Sequence, residues 1–272
     1  MNDVVQDEKI QKVLARAGFG SRRQMESWIS QGRVRLNGNV ATLGDRAGPD
    51  DKLIVDGKKV SNTAPDNTAP RVLVYNKPEN EICSRRDPEG RKSVYDHLPM
   101  IKHGRWVAVG RLDFNTSGLL LFTTDGELAN RLMHPSANID REYAVRVLGD
   151  VSDEMIANLQ KGVMIEEHLC RFTDVQFFAG EGRNSWYHVV IMEGRNREVR
   201  KLWESQGVKV SRLKRVRYGP VFIPSRVKKG QFYEMKNAEI AGLYETVGMT
   251  PPVATRKRTV ARKRKDGRPG RG

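Results

Sequence analysis

A single carboxylate stands in a short polar connection between two apolar runs of this sequence. Asp113 lies between residues 107–109, which read Val-Ala-Val, and the apolar run 119–122. Gly110 and Gly118 bracket the connection and suit tight turns. A carboxylate in a short loop between two core strands is rigidly held yet reachable, so Asp113 could act as a nucleophile. The alternative is that Asp113 only braces its own turn, since Asp, Asn and Gly are common in such loops.

The sequence has no spacing typical of a metal or a nucleotide cofactor. Cys83 and Cys170 lie 87 residues apart, so they form no Cys-x-x-Cys pair. The histidines form no His-x-x-x-His pattern, and they lie at positions 97, 103, 134, 168 and 188. A Gly-x-x-x-x-Gly-Lys-Ser/Thr phosphate loop is also missing. We therefore expect no metal and no cofactor, and the low cysteine content suits a reducing compartment.

The charge balance predicts a polyanionic partner. The 272 residues include 48 Lys and Arg against 33 Asp and Glu, a net charge of +15. Such a charge points to nucleic acid or to an anionic membrane surface. No apolar run approaches the roughly 18 residues that would span a bilayer, and the acidic N-terminus lacks a signal-peptide core. We expect a cytoplasmic protein that does not enter a membrane, with a disordered basic tail over residues 246–272.

Residues 1–61 have the pattern of a small separate module, followed by a polar linker at 62–70. Apolar residues at helical spacing predict a first helix within 8–18. Ser21, with Gln24 three residues later, predicts the capped start of a second helix. Asn-Gly at 37–38 then predicts a tight hairpin turn.

The module is similar to the S4 RNA-binding domain. Its arginines cluster at the start of the second helix and on the hairpin, where they are Arg22, Arg23, Arg33 and Arg35. A helix N-terminus attracts anions, so we expect this cluster to hold RNA backbone. The alternative is an ordinary solvated helix face.

The larger domain, expected at residues 71–245, mixes strand and helix signals without a regular βαβ rhythm. This pattern favours an α+β fold with a mainly antiparallel sheet. Thr124 and Glu127 read as a capping box that starts a helix burying Leu128, Leu132 and Met133.

A basic stretch near residue 200 contains the other candidate site residues. Asn196 is expected to cap a helix whose core stripe is Val199, Leu202 and Trp203. The basic side chains beside that stripe are Arg197, Arg200 and Lys201, and we expect Arg197 and Lys201 to bind RNA. A solvated helix face is the alternative, and it suits Arg197 and Lys201 better than Arg200.

The run Gly-Arg-Leu-Asp-x-x-Thr-x-Gly-Leu-Leu-Leu at 110–121 resembles the catalytic signature of the RsuA/RluA group of pseudouridine synthases. The resemblance implies an Asp nucleophile, Asp113, that isomerises uridine in RNA without a cofactor. It also implies that Tyr143 packs on the target base, against the alternative of an ordinary strand tyrosine. By the same resemblance Arg200 pairs with the catalytic Asp, and we expect Arg111 to line the cleft or hold phosphates.

Within the RsuA family, the stretches Leu-Ala-Arg-Ala-Gly and Gly-Glu-Leu-Ala-Asn-Arg-Leu-Met-His-Pro are similar to the bacterial B-type subgroup acting on large-subunit ribosomal RNA. The expected partner is ribosomal RNA or a ribosomal subunit precursor, bound by a monomer. A non-catalytic RNA-binding factor in ribosome assembly would explain the charge and the S4-like module equally well. The intact motif around Asp113 favours the enzyme. A basic RNA methyltransferase is the weaker rival, because no Gly-rich cofactor loop follows a strand.

Overall fold

The computed structural model describes residues 7–60, 69–101, 104–181 and 183–252. Of the predicted linker at 62–70, only the last two residues fall within this part of the chain. The predicted basic tail lies outside the described residues from position 253 onward. Its predicted start at 246 was too early, because Thr246 ends a helix and Val247 and Met249 pack against a hydrophobic core. No helix in the described ranges combines the length and the apolar content that crossing a membrane would require.

The N-terminal unit packs two helices on short antiparallel strands. The helices are α1 (Ile10–Arg16) and α2 (Arg22–Ser30). The strands in chain order are β1 (Glu8–Lys9), β2 (Val34–Leu36), β3 (Asn39–Val40), β4 (Arg46–Ala47), β5 (Leu53–Val55) and β6 (Lys58–Val60). Four of them form one sheet in the order β3-β2-β5-β6, while β1 pairs with β4.

Local sequence signals set the geometry of this unit as predicted. The Ser21 hydroxyl accepts a hydrogen bond from the backbone N–H of Gln24 at 3.1 Å and so caps α2. Asn37 and Gly38 both have positive φ, at 51° and 92°, in the two-residue turn between β2 and β3. Positive φ at both positions is the geometry that Asn-Gly favours in a hairpin.

The larger unit is built on a nine-stranded, mainly antiparallel sheet. Its strands are β7 (Val72–Lys77), β8 (Val107–Val109), β9 (Ser117–Thr123), β10 (Arg141–Leu148), β13 (Asp174–Glu181), β14 (Asn184–Ile191), β15 (Lys209–Tyr218), β16 (Val221–Phe222) and β17 (Phe232–Glu234). Seven of them follow the order β13-β14-β10-β15-β9-β7-β17, with β8 paired to β9 and β16 paired to β15. The single parallel contact in that order joins β15 to β9. A separate hairpin joins β11 (Val163–Ile165) to β12 (His168–Cys170). The α+β fold with a mainly antiparallel sheet is therefore confirmed.

Helices cover different parts of the two faces of this sheet. The helices are α3 (Gly126–Met133), α4 (Asp153–Lys161), α5 (Glu198–Glu204) and α6 (Asn237–Thr246), with short 3₁₀ turns at Val94–His97 and Pro135–Ala137. Side chains of α4 and α5 join a core with Leu120 and Phe122 on one face. Side chains of α3 and α6 join a second core with Leu119 and Leu121 on the other. Strand β9 is buried on both sides, which explains its unbroken apolar sequence.

Two predicted helix starts and one predicted core residue were wrong. Asp125, rather than Thr124, caps α3, because its carboxylate accepts from the N–H groups of Glu127 at 2.7 Å and Leu128 at 3.3 Å. Met133 is 36% exposed because it lies at the last turn of α3. Asn196 does not cap α5, since the chain turns one residue later at Arg197, whose φ is +55°.

Candidate active site

Asp113 lies in the connection between β8 and β9, at the wall of a cleft of about 490 Å³. Its side chain is half-buried and also borders a second hollow, which Cys83 and Phe114 help to line. The cleft side of the sheet contributes Tyr143, Leu213 and Arg215 to the same cavity. A carboxylate at this position faces a space large enough for a nucleobase and its ribose.

Lys77 holds both ends of the Asp113 turn. Its side chain is 0% exposed, and its ammonium group donates to the backbone carbonyls of Pro78, Asp113 and Thr116 at 3.0, 3.1 and 2.9 Å. Burial lowers the pKa of the Lys77 ammonium, and neighbouring carboxylates including Asp113 act in the opposite direction. A buried cation with three carbonyl partners fixes the backbone that carries Asp113.

Every other residue between 112 and 115 is also tied down through its backbone. Cys83 donates its thiol to the Leu112 carbonyl at 3.3 Å and accepts from the Leu112 N–H at 3.4 Å. The Asn80 N–H donates to the Phe114 carbonyl at 2.8 Å, and Arg200 donates to the Asn115 carbonyl at 3.0 Å. These hydrogen bonds make the loop rigid, so the Asp113 carboxylate is held in a fixed position, as catalysis by proximity requires.

Gly118, the second glycine of the motif, permits the parallel contact between β9 and β15. Its φ is +105°, and a Cβ atom there would lie 2.1 Å from the backbone oxygen of Arg215. No side chain fits at that distance, so only glycine allows the strand bearing Arg215 to approach the strand that follows Asp113.

The cleft wall opposite Asp113 combines an aromatic ring with a buried cation. Tyr143 is 7% exposed on β10, and its register partner on β15 is Arg215. Arg215 is 2% exposed, donates to the Leu119 carbonyl at 2.7 Å and lies over the Tyr218 ring. One of its terminal N–H groups has no hydrogen-bond partner among the described residues. The wall therefore offers a flat apolar surface beside a guanidinium with unused donor capacity.

The expected direct pairing of Arg200 with Asp113 is not present. The Arg200 guanidinium donates instead to the carbonyls of Asn115 and Val210, each at 3.0 Å. Burial and the neighbouring charge of Arg197 lower the pKa of Arg200, while the Asp113 carboxylate acts to raise it. Arg200 thus holds the loop two residues beyond Asp113. No hydrogen bond or ion pair joins Arg200 to the Asp113 carboxylate, and the buried Arg200 Nε has no hydrogen-bond partner among the described residues.

The basic residues expected to bind RNA fall into two groups. Arg111 and Arg197 are exposed and line both hollows that border Asp113, and Arg197 also lies 4.0 Å from the Glu204 carboxylate. Arg22 and Arg23 are exposed at the N-terminus of α2. These four guanidinium groups are accessible to a polyanion.

The charges of the remaining candidates are already partly engaged. Arg33 forms an ion pair with Asp56 at 2.5 Å and lies over the Trp28 ring. Arg35 donates to the Gly38 carbonyl at 3.0 Å. Lys201 pairs with Glu166 at 2.6 Å and borders a different hollow from Asp113.

Three residues that shape the site were not predicted from the sequence: Lys77, Cys83 and Arg215. The signal for Lys77 was its position at the end of an apolar run and directly before Pro78, where the chain was expected to be buried. Lysine is rarely buried, so a lysine at such a position suggests a specific role. Cys83 gave no signal, because its contact with Leu112 joins residues 29 positions apart in the chain. Arg215 is one of several basic residues on β15, whose side chains point alternately to the two faces of the sheet. The sequence does not show which of the two faces is buried.

Comparison with known proteins identifies the family. The model of the RNA pseudouridylate synthase family matches residues 71–205, and the S4 domain model matches residues 8–53. A solved structure described as a pseudouridylate synthase aligns with a TM-score of 0.61 over 86% of this chain and 99% of its own, at 23% identity, which supports the fold. The chain belongs to the RNA pseudouridylate synthase family and carries an S4 domain.

Curated relatives narrow the similarity further. The chain is 57% identical over 258 residues to "Ribosomal large subunit pseudouridine synthase B" of Pseudomonas aeruginosa, covering 94% of this chain and 67% of that protein. It is 54% identical to the protein of the same name from Vibrio cholerae, covering 95% of this chain and 84% of the relative. The Escherichia coli K12 protein of that name is 53% identical, with 92% and 86% covered. The resemblance drawn from residues 110–121 is confirmed.

Proposed function

We propose that this protein isomerises a uridine of large-subunit ribosomal RNA to pseudouridine, with Asp113 as the nucleophile. The observation that carries the proposal is the half-buried Asp113 carboxylate at the wall of a cleft, on a loop held by Lys77, Cys83 and Arg200. The names of the 52–57% identical relatives supply the substrate class. A purely RNA-binding protein would gain nothing from a carboxylate that faces a polyanion.

The reaction is an isomerisation whose atoms balance within the substrate. The bond between C1′ and N1 of the uridine breaks, the uracil rotates, and a bond forms between C1′ and C5. The C5 proton is lost, while N1 gains a proton. Asp113 is the nucleophile for the first cleavage, and the bond that its carboxylate forms to the nucleotide breaks again before the product leaves, so the carboxylate is regenerated. No oxidant or reductant is consumed.

Tyr143 is proposed to support the extruded uracil. A base that leaves its stack loses its neighbours and needs a flat surface in return. Tyr143 lies in the cleft beside Arg215, whose buried terminal NH₂ group has no hydrogen-bond partner among the described residues. Arg200 is proposed as a positioning residue because it holds the Asn115 carbonyl.

The exposed arginines are proposed to hold the RNA around the reacting uridine. Arg111 and Arg197 flank Asp113 and suit the phosphates next to the flipped nucleotide. Arg22 and Arg23 suit a more distant part of the backbone, at the dipole of α2. Arg33, Arg35 and Lys201 are weaker candidates, because each already donates to a partner within the protein.

Replacing Arg22 and Arg23 by Ala should raise the RNA concentration at half-maximal rate by roughly tenfold, or about 0.7 kcal/mol for each contact. The single-turnover rate at saturation should stay near the wild-type value, since these residues lie outside the Asp113 cleft. Arg33→Ala is the matched control, and it should change RNA affinity less because Asp56 already neutralises Arg33. A large fall in the saturated rate of the double variant would contradict this assignment.

The proposed function is tested with the full-length purified protein and ribosomal RNA transcripts that contain no modified nucleotide. Tritium release from C5 of the uridines measures the reaction, and chemical mapping identifies the position. Wild-type protein should form pseudouridine at one site or a few sites of large-subunit RNA and none on a small-subunit control. RNA binding without any pseudouridine on free RNA or on subunit precursors would support the non-catalytic assembly factor instead.

The domain organisation and the setting of the reaction are also proposals. We infer an S4 unit at 1–61, a linker at 62–70, a catalytic domain that begins at 71 and includes all of α6, and a basic tail after α6 that adds affinity for RNA. We also infer a monomer working in the cytoplasm, where ribosomal RNA is made and assembled in bacteria.

A further inference from the structure

The face of the sheet opposite the Asp113 cleft has an uncovered area over β10, β13, β14 and β15. Successive strand residues point to opposite faces, so Tyr143 and Leu213 turn toward the cleft while their neighbours turn away. The residues that define this area, called the platform below, are Arg146, Phe178, Trp186, His188, Arg212 and Lys214.

No described helix covers the platform. Helices α4 and α5 contribute Leu159 and Trp203 to the core on the cleft face. Helices α3 and α6 pack on the opposite face around β7, β8 and β9 and at the Tyr218 end of β15, and no platform residue belongs to that core. Phe178 is 71% exposed, and the other five platform side chains range from half-buried to exposed. An open patch that mixes aromatic and basic groups marks a binding surface.

The platform has an excess of unpaired positive charge. Arg146 and Arg212 lie directly opposite each other on β10 and β15, an arrangement of like charges that disfavours the sheet. Arg146 donates to the Ser211 hydroxyl at 2.8 Å, and no ion pair to Arg146, Arg212 or Lys214 occurs within the described ranges. The nearby carboxylate of Glu142 is already shared between Arg217 and His188 at 2.8 and 2.7 Å. The positive charges of these three side chains are therefore available to bind an anionic ligand.

Aromatic rings lie among these cations. Trp186 is the cross-strand partner of Arg146 on β14, so an indole and two guanidinium groups follow one another across three strands. Phe178 sits at an irregularity in the register between β13 and β14, and its ring centroid is 5.3 Å from that of His188. Aromatic rings on neighbouring strands can stack on the bases of a single-stranded RNA, while the cations beside them bind its phosphates.

We propose that the platform binds a single-stranded segment of RNA, as a second RNA surface distinct from the catalytic cleft. The inference rests on the proposed function in taking RNA as the partner. A protein or lipid surface that buried the rings would also have to pair three cations, whereas RNA supplies both stacking faces and phosphates. Because the platform and the cleft are on opposite faces of one sheet, the segment bound here lies away from the reacting uridine and adds affinity without altering the chemistry.

The proposal is tested by fluorescence anisotropy with a labelled 20-nucleotide oligocytidine, which contains no uridine for the reaction. The full chain carrying Arg212→Ala and Lys214→Ala should bind more weakly, and the log–log salt slope should fall in magnitude by about 1.4, or roughly 0.7 for each lost single-strand contact. Lys228→Ala with Lys229→Ala is the matched control, since it removes the same charge from an exposed loop next to β17. This control should keep the wild-type slope.

The stacking part is tested separately. Trp186→Ala should weaken oligocytidine binding by roughly tenfold with little change in salt slope, and Trp186→Phe should restore most of the affinity. Ultraviolet crosslinking and peptide mass spectrometry should find cytidine attached to peptides that contain Phe178 or Trp186. Thermal unfolding confirms that each variant is folded.

Equal losses in the platform and control variants, or crosslinks confined to the cleft and the S4 unit, would overturn the proposal. Unchanged affinity in both Trp186→Ala and the Arg212/Lys214 variant would do the same. The readout is binding, so a protein that formed no pseudouridine yet lost affinity in the platform variants would contradict only the proposed function. An active enzyme with an unaltered salt slope would contradict only the platform.

Discussion

Asp113→Asn should abolish pseudouridine formation while leaving the fold intact. Loss of a nucleophile costs roughly four orders of magnitude or more in rate. The backbone carbonyl of Asp113, rather than its carboxylate, accepts from Lys77 and from the Thr116 N–H at 3.1 Å each. Asn preserves these contacts and the volume of the side chain. RNA binding should persist or tighten slightly, because a negative charge near the phosphates is removed.

The measurement is tritium release from ribosomal RNA, run beside an RNA-binding titration and a thermal unfolding curve. Asp150→Asn is the matched control, since Asp150 is an exposed loop carboxylate that lies outside the cleft. It should retain wild-type activity. If the Asp113 variant made pseudouridine at a comparable rate, Asp113 could not be the nucleophile.

Arg200→Met should lower the saturated rate by roughly 100-fold or more, because a displacement of about 1 Å at the reacting group can have that effect. The variant loses the donors to Asn115 and Val210, and the Asp113 loop loses one of its anchors. It should also lose about 2–4 kcal/mol of unfolding free energy, as expected when two charge-assisted hydrogen bonds to buried carbonyls are removed.

Single-turnover rates and RNA affinity, measured well below the unfolding midpoint, separate positioning from a general loss of structure. Affinity should stay within a few-fold of wild type, because Arg200 is buried away from the RNA. Arg200→Lys should recover part of the rate, since one ammonium group can reach one of the two carbonyls. A fall in affinity with an unchanged saturated rate would show that Arg200 contacts RNA instead of positioning Asp113.

The sequence was most informative where a local signal decides the structure. Ser21 caps α2, Asn37-Gly38 closes the hairpin, and the apolar run after Asp113 forms a strand buried on both faces. The spacing of Val199, Leu202 and Trp203 likewise predicted the buried stripe of α5. Each of these features depends on neighbours within a few positions of the chain.

The sequence was least informative where distant segments meet. Nothing near Lys77 shows that its ammonium group reaches carbonyls 36 and 39 positions later in the chain. Arg200 was expected to pair with the Asp113 carboxylate, but its guanidinium donates to the backbone carbonyls of Asn115 and Val210 instead. The N-cap of α5 was predicted at Asn196 but lies at Arg197, where a positive φ turns the chain into the helix. Such choices between partners depend on tertiary packing.

We propose above all that this chain makes pseudouridine in large-subunit ribosomal RNA through Asp113. The most direct test is pseudouridine mapping across both ribosomal RNAs in cells that lack the gene, complemented with wild-type protein or with Asp113→Asn. We predict that at least one large-subunit pseudouridine disappears without the gene, returns with the wild-type protein and stays absent with the variant. An unchanged map in the deletion strain, or full restoration by Asp113→Asn, would contradict the account.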